Sequence, residues 1–108
     1  MPRLKKEDLL KWFEAGAKPR EKWKIGTEHE KFVFHTETFE RVGYSGKSGI
    51  SELLNKLAQE NNWEKILENK NTIALKDDTG ASISLEPGGQ LELSGTPLEN
   101  LHQTCKET

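Results

Sequence analysis

Apolar residues follow their most regular pattern in the middle of the chain. Between residues 50 and 58 they recur at positions i, i+3, i+4, i+7 and i+8, which is the spacing of a single buried helix stripe. These residues are Ile50, Leu53, Leu54, Leu57 and Ala58. The pattern predicts a helix over residues 50–59, with Ser48 as its cap and Asn61-Asn62 as its end.

Two further helices are predicted near the two ends of the chain. Residues Lys5–Ala15 form a short segment with its apolar residues on one side. Near the other end, Thr96-Pro97-Leu98-Glu99 has a capping-box pattern with proline at the first helical position. This pattern predicts a helix over Leu98–Cys105. No stop signal follows it before Thr108, so we expect the natural chain to continue.

Four segments have the β-branched and aromatic content, or the alternation, that is typical of strands. They are residues 23–34, 73–76, 81–86 and 90–94. The second and third of them indicate a hairpin around Asp77-Asp78-Thr79-Gly80. We also expect a return strand at Phe39–Val42, and we expect Trp63, Ile66 and Leu67 to anchor a turn to the core.

These elements predict an α+β fold, in which one antiparallel sheet has helices packed on one of its faces. The last strand alternates two leucines with three polar residues, in the order Gln90, Leu91, Glu92, Leu93, Ser94. One of its faces is therefore apolar and the other is polar. The apolar face offers a surface for the central helix, so we expect that helix opposite the acidic side chains.

Acidic side chains occupy strand positions where one face is normally apolar. Glu28 and Glu30 are two residues apart, so on a strand they share a face at a spacing of about 6.6 Å, whereas His29 points to the other face. Such a pair either binds a hard cation such as Mg²⁺, which prefers oxygen ligands, or simply meets water on an exposed face. The polar face of the strand over 90–94 favours the cation site.

The stretch Glu86-Pro87-Gly88-Gly89-Gln90 is a tight connection before the last strand. Its glycines let the backbone approach a ligand closely or adopt a positive φ, but an ordinary turn or bulge has the same composition. It is not a phosphate-binding P-loop, because the Gly-Lys-Ser/Thr ending of that motif is missing.

Composition limits the size and the partners of the chain. Its 108 residues, 32% of them hydrophobic, are enough for at most one small domain. The formal net charge is -2, and acidic residues interleave with the basic ones near the start, so we expect no nucleic-acid binding. We expect no membrane association, because no apolar run has the length of a membrane span. The charged start does not look like a signal peptide, and Cys105 is a lone thiol, so the sequence predicts a cytosolic (cytoplasmic) protein.

Two segments resemble the glutamate–cysteine ligases of the plant and proteobacterial type. The first is Gly26-Thr27-Glu28-His29-Glu30-Lys31-Phe32. The second runs from Leu85 to Gly95 (Leu-Glu-Pro-Gly-Gly-Gln-Leu-Glu-Leu-Ser-Gly) and is followed by Pro97-Leu98-Glu99 and by Leu-His-Gln-Thr-Cys at 101–105. Two long motifs in the right order make the resemblance specific, and the similarity covers nearly all of the chain.

The resemblance implies that residues 1–108 are the N-terminal portion of a larger catalytic domain with a glutamine-synthetase-like fold. A ligase of this family uses ATP as co-substrate, together with Mg²⁺, to join the glutamate γ-carboxylate to the cysteine amine. The reaction proceeds through a γ-glutamyl phosphate and is the first step of glutathione synthesis. The implied partners are these small molecules and the remainder of the same enzyme chain.

The matching motifs also imply roles for particular residues. Glu28, Glu30 and Glu92 are expected to bind Mg²⁺, while Glu86 and Gln90 are expected to line the substrate and nucleotide site. Two alternatives stay open: a non-catalytic truncated remnant or association module, and a related carboxylate–amine ligase with another acceptor. A reading frame that continues with more strands and basic residues favours the enzyme, whereas a stop codon favours the remnant.

Overall fold

The fold of residues 3–108, which a computed structural model describes, is a five-stranded antiparallel sheet with three α-helices. The strands are β1 (Glu28–Phe32), β2 (Glu64–Glu68), β3 (Asn71–Lys76), β4 (Ser82–Leu85) and β5 (Gln90–Ser94). The helices are α1 (Lys6–Gly16), α2 (Ile50–Asn61) and α3 (Leu101–Glu107). The sheet order is β1-β5-β4-β3-β2. The predicted α+β class and single antiparallel sheet are confirmed.

The helix α2 packs on one face of the sheet and forms the core with it. Leu54 of α2 and Leu75 of β3 are completely buried, and Ile50 and Ala58 are nearly so. Half-buried side chains from the neighbouring strands complete the cluster, among them Ile83, Leu85 and Leu91. In the strand register these residues alternate with the polar positions, so the helix lies on the face opposite the carboxylates, as the alternation predicts.

The start of α2 differs from the prediction that Ser48 caps it. Gly49 is the N-cap residue and no side chain caps the helix. The first amides are satisfied by loop carbonyls instead, because Ile50 N–H donates to Gly43 and Ser51 N–H donates to Tyr44. Ser48 has a positive φ of 65°, and its own N–H donates to Glu52. A loop that folds back in this way needs no side-chain cap.

Three predictions about strands and turns need correction. Ile66 and Leu67 lie on the edge strand β2, where they are 38% and 58% exposed, and so do not anchor a turn to the core. The strand expected over residues 23–34 is shorter, since only Glu28–Phe32 pairs continuously. Its expected return strand is reduced to one bridge between Phe34 and Arg41. The chain reverses its direction between these two bridged residues, where Phe39 has a positive φ.

The last helix begins later than predicted. Asn100 is its N-cap and forms a capping box with Gln103, whereas the backbone of Leu98 exchanges two hydrogen bonds with Ile25. Bridging to the segment before β1 holds residue 98 in an extended conformation, so the helix forms only after it. No helix among residues 3–108 is both long enough and apolar enough to cross a lipid bilayer.

Candidate metal and substrate face

The strand register brings the acidic residues of two separate segments onto one face of the sheet. Glu30 lies opposite Glu92, and Glu28 lies opposite Ser94 at the next pair on the same face. On the other side of β5, Glu92 lies opposite Ser84 of β4. Glu86 and Gln90 extend the same alternation to the turn between β4 and β5. We call the surface formed by Glu28, Glu30, Glu86, Gln90 and Glu92 the carboxylate face.

Side-chain hydrogen bonds hold three members of the carboxylate face, Glu30, Glu86 and Gln90, in place. The Gln90 amide donates to Glu30 Oε2 at 2.9 Å, which ties β5 to β1. The Ser84 hydroxyl donates to Glu86 Oε1 at 2.7 Å, within the segment that leads into the turn. Glu86 and Gln90 are half-buried, whereas Glu28 and Glu30 are exposed. Along β1 the face is therefore open to a ligand, and the side chains of Glu86 and Gln90 are better enclosed than those of Glu28 and Glu30.

Glu92 lies at the centre of this negative charge. Partial burial raises the pKa of its carboxyl above the usual range, and repulsion from Glu28, Glu86 and Glu30 raises it further. The carboxylate form of Glu92 is thus less favoured than that of a free glutamate side chain, and a nearby positive charge would favour it. A divalent cation bound at the face supplies such a charge.

The donors of the carboxylate face fit Mg²⁺ in their chemistry, because carboxylate and amide oxygens are the ligands that this ion prefers. Within residues 3–108, however, no three His, Cys, Asp or Glu side chains stand close enough together to enclose a metal ion. The five residues singled out in the sequence share one face. The roles of Glu28, Glu30 and Glu92 as metal ligands, and of Glu86 and Gln90 in the substrate and nucleotide site, stay predictions.

One charged group beside this face was missed in the sequence. The guanidinium of Arg41 donates a hydrogen bond to the carbonyl oxygen of Gly88 and lies 5.8 Å from the centre of the Phe32 ring. Phe32 follows Glu28 and Glu30 at the strand period, so Arg41 lies at the end of the carboxylate face. The signal for it was the expected return strand, because pairing that strand in register places Arg41 opposite Phe34.

We expect Glu92→Gln to raise the folded fraction of the metal-free chain at pH 7. Folding raises the pKa of Glu92, so ionisation of this carboxyl destabilises the folded state. The effect is absent below the unfolded pKa of the group and is complete once the pH has risen through the folded pKa. Glutamine keeps the uncharged state at every pH. Circular dichroism at pH 7 and at pH 3.5 measures the folded fractions of the unmodified chain and of the Glu92→Gln variant.

The control for this prediction is Glu37→Gln, which removes the same charge from an exposed turn. The gain from Glu92→Gln should be present at pH 7, absent at pH 3.5 and absent in the control at both values. A gain of equal size at both pH values would show that repulsion at the carboxylate face is not its cause.

Comparison with known proteins agrees with the family resemblance of the two motifs. The sequence model described as Glutamate-cysteine ligase family 2 (GCS2) matches residues 24–108. The chain is 54% identical over 104 residues to glutamate–cysteine ligase B, chloroplastic, of Oryza sativa subsp. japonica, covering 96% of this chain and 20% of that protein. It is 55% identical to the chloroplastic ligase of Nicotiana tabacum and 51% identical to that of Arabidopsis thaliana, each over 96% of this chain and 19% of the relative. The chain thus spans about a fifth of the length of the curated relatives it matches.

The cytosolic location predicted from the sequence is wrong by this comparison, because these relatives are named chloroplastic. The prediction rested partly on the single thiol of Cys105. A free thiol indicates a reducing compartment, but it does not distinguish one such compartment from another.

Proposed function

Because the chain belongs to glutamate–cysteine ligase family 2, we propose that it forms part of an ATP-dependent ligase that joins the glutamate γ-carboxylate to the cysteine amine. The relatives carry this activity in their names and are about five times as long. The activity is therefore proposed for the complete enzyme to which these residues contribute one wall of the site. By the same relationship we propose a plastid location.

The observation that carries the proposal is the pairing of Glu30 with Glu92 across β1 and β5. The two family motifs are about sixty residues apart in the sequence, yet the register places their carboxylates directly opposite each other on the uncovered face of the sheet. Structural stability alone does not favour this arrangement, since like charges opposite each other on a sheet are destabilising. A requirement for cation binding accounts for it.

We propose that Glu28, Glu30 and Glu92 hold Mg²⁺ against the phosphates of ATP. Bound at this face, Mg²⁺ supplies positive charge that offsets the phosphate oxygens and favours phosphoryl transfer. Glu92 is half-buried on β5, an interior strand of the sheet, whereas Glu28 and Glu30 are exposed on the edge strand β1. Transfer to the γ-carboxylate would give a γ-glutamyl phosphate, which the cysteine amine then attacks.

Glu86 and Gln90 are proposed to line the substrate and nucleotide end of the same site. Their turn brings backbone close to the carboxylate face, because Gly88 and Gly89 both have a positive φ and Gly89 N–H bonds back to Glu86. The proposed setting is a glutamine-synthetase-like fold in which the remainder of the enzyme closes over this face. The opposite face already carries α2 and has no room for a substrate at its centre.

The test is a ligation assay on the complete reading frame that contains these residues. With ATP, Mg²⁺, glutamate and cysteine, we expect equal amounts of γ-glutamylcysteine, ADP and phosphate. Product with another amine but not with cysteine would instead identify a related carboxylate–amine ligase. A folded product that forms no peptide with any amine would contradict the proposal and favour the non-catalytic remnant.

A further inference from the structure

Among the described residues, Arg41 is a cation that forms no ion pair with an acidic side chain. Within residues 3–108 the ion pairs are Lys24–Glu99, Lys56–Glu52 and Lys76–Glu64, and none involves Arg41. The guanidinium has five N–H donors in a planar fork, and one hydrogen bond, to the carbonyl of Gly88, is made within the described chain. Most of its donors are therefore available to a ligand.

The Arg41 side chain is nevertheless held in place. Its guanidinium lies within 5.8 Å of the centre of the Phe32 ring, a distance at which a cation is attracted to the face of an aromatic ring. Its backbone is held by the bridge to Phe34 and by the hydrogen bond from Val42 N–H to Val33. On the other side Gly89 approaches so closely that a Cβ atom there would lie 2.7 Å from Arg41 Nη2.

The position of Arg41 matters because of what surrounds it. Phe32 and Phe34 share the face of Glu28 and Glu30, and their rings lie 6.5 Å apart at its end. Both rings are about half exposed, so this end of the face is open. The Arg41 guanidinium, beside the exposed rings of Phe32 and Phe34, is suited to bind an anion. The neighbouring carboxylates are suited to bind a cation.

We propose that Arg41 binds an anionic oxygen group of a substrate, with the ring of Phe32 as the support beneath its guanidinium. The geometry suits a carboxylate or a phosphate, since both accept two parallel N–H···O bonds from an arginine fork. The inference rests on the proposed function, which supplies substrates of both kinds. It adds a substrate-binding residue outside the two family motifs.

The competing role for Arg41 is to hold the turn at Gly88 and nothing more. That role depends on one hydrogen bond to a carbonyl, which the ammonium group of lysine also makes. Substrate binding by two parallel bonds depends on the planar fork, which lysine lacks. The variants Arg41→Lys and Arg41→Gln therefore separate the two roles.

The kinetic test compares these variants with the unmodified complete enzyme. Arg41→Gln should raise the KM for one substrate by about tenfold to a hundredfold, with kcat changed much less, because a charged hydrogen-bonded contact is lost. Arg41→Lys should recover only a small part of that loss. The affected substrate identifies the anion: glutamate or cysteine indicates a carboxylate and ATP indicates a phosphate. Arg20→Gln, on an exposed turn near the start of the chain, is the matched control and should leave all three KM values unchanged.

A direct binding measurement keeps the inference separate from the proposed activity. We expect L-glutamate or inorganic phosphate to shift the Arg41 Nε–Hε signal in proton–nitrogen NMR spectra of the complete protein, and Phe32→Leu to weaken the effect. If the unmodified enzyme ligates normally and Arg41→Gln leaves the KM values for ATP, glutamate and cysteine unchanged, the inference is overturned but the proposed function is not. If no ligation occurs at all, the spectra decide: a saturable shift supports anion binding by Arg41, and no shift overturns it.

Discussion

Glu30→Gln should reduce ATP-dependent ligation by the complete enzyme at least about a hundredfold at saturating Mg²⁺. Even residues that only orient a metal ligand typically contribute ten- to a hundredfold to metal affinity or activity, so the loss of a direct ligand should cost no less. Glu28→Gln should act in the same direction. The measurement is the initial rate of γ-glutamylcysteine formation across a range of Mg²⁺ concentrations.

The fold should survive these substitutions. Glu28 and Glu30 are exposed on β1, and glutamine keeps the size of the side chain while removing part of the repulsion around Glu92. Glu68→Gln is the matched control. It removes the same charge from the exposed strand β2, which lies at the opposite edge of the sheet from β1. Near-normal turnover by Glu28→Gln or Glu30→Gln, or an equal loss in the control, would contradict the role of the carboxylate face.

A polypeptide of these 108 residues alone should make no γ-glutamylcysteine and should not unfold in a sharp cooperative transition. Its radius of gyration is 18.4 Å, whereas a compact domain of this length has a value of about 13 Å. It exposes 9135 Å² of surface, against roughly 6,100 Å² for a compact monomer of its mass. The measurements are a ligation assay and thermal unfolding followed by circular dichroism.

The excess surface has an identifiable source. The helix α1 has no buried residue and packs against no other described helix or strand, and its apolar side chains Leu9, Leu10 and Phe13 are more than half exposed. The carboxylate face is likewise uncovered, and its mutual repulsion opposes folding while no cation is bound. A sharp two-state transition of the metal-free monomer would contradict the stability prediction, and measurable peptide formation would contradict the expected inactivity.

The elements that were predicted correctly from the sequence have a strict hydrophobic periodicity. The stripe from Ile50 to Ala58 and the alternation from Gln90 to Ser94 each predicted both an element and the face that it buries. The hairpin around Asp77 followed from turn chemistry: its carboxylate accepts bonds from the N–H groups of Thr79 and Ala81. These hydrogen bonds outweigh the effect of burial, which by itself would raise the pKa of Asp77, so that its pKa is lowered.

What the sequence did not reveal depends on contacts between distant segments. The strand β2 pairs with β3 through a register shift between Ile66 and Leu67, which breaks the alternation that marks a strand. The start of α3 is set by the bridge between Ile25 and Leu98, about seventy residues apart. Arg41 is held beside the carboxylate face by its bridge to Phe34 and by its hydrogen bond to the Gly88 carbonyl in a distant turn. Local propensity carries no information about any of these contacts.

The central claim is that the carboxylate face is the Mg²⁺ site of a glutamate–cysteine ligase. Anomalous X-ray scattering from crystals of the complete enzyme, grown with Mn²⁺ in place of Mg²⁺ and a non-hydrolysable ATP analogue, tests it most directly. We expect an anomalous peak about 2.0–2.2 Å from carboxylate oxygens of Glu30 and Glu92, within the distance range of hard cations and their oxygen ligands. Ordered nucleotide with its metal peaks bound entirely by other residues, and none at Glu28, Glu30 or Glu92, would contradict it.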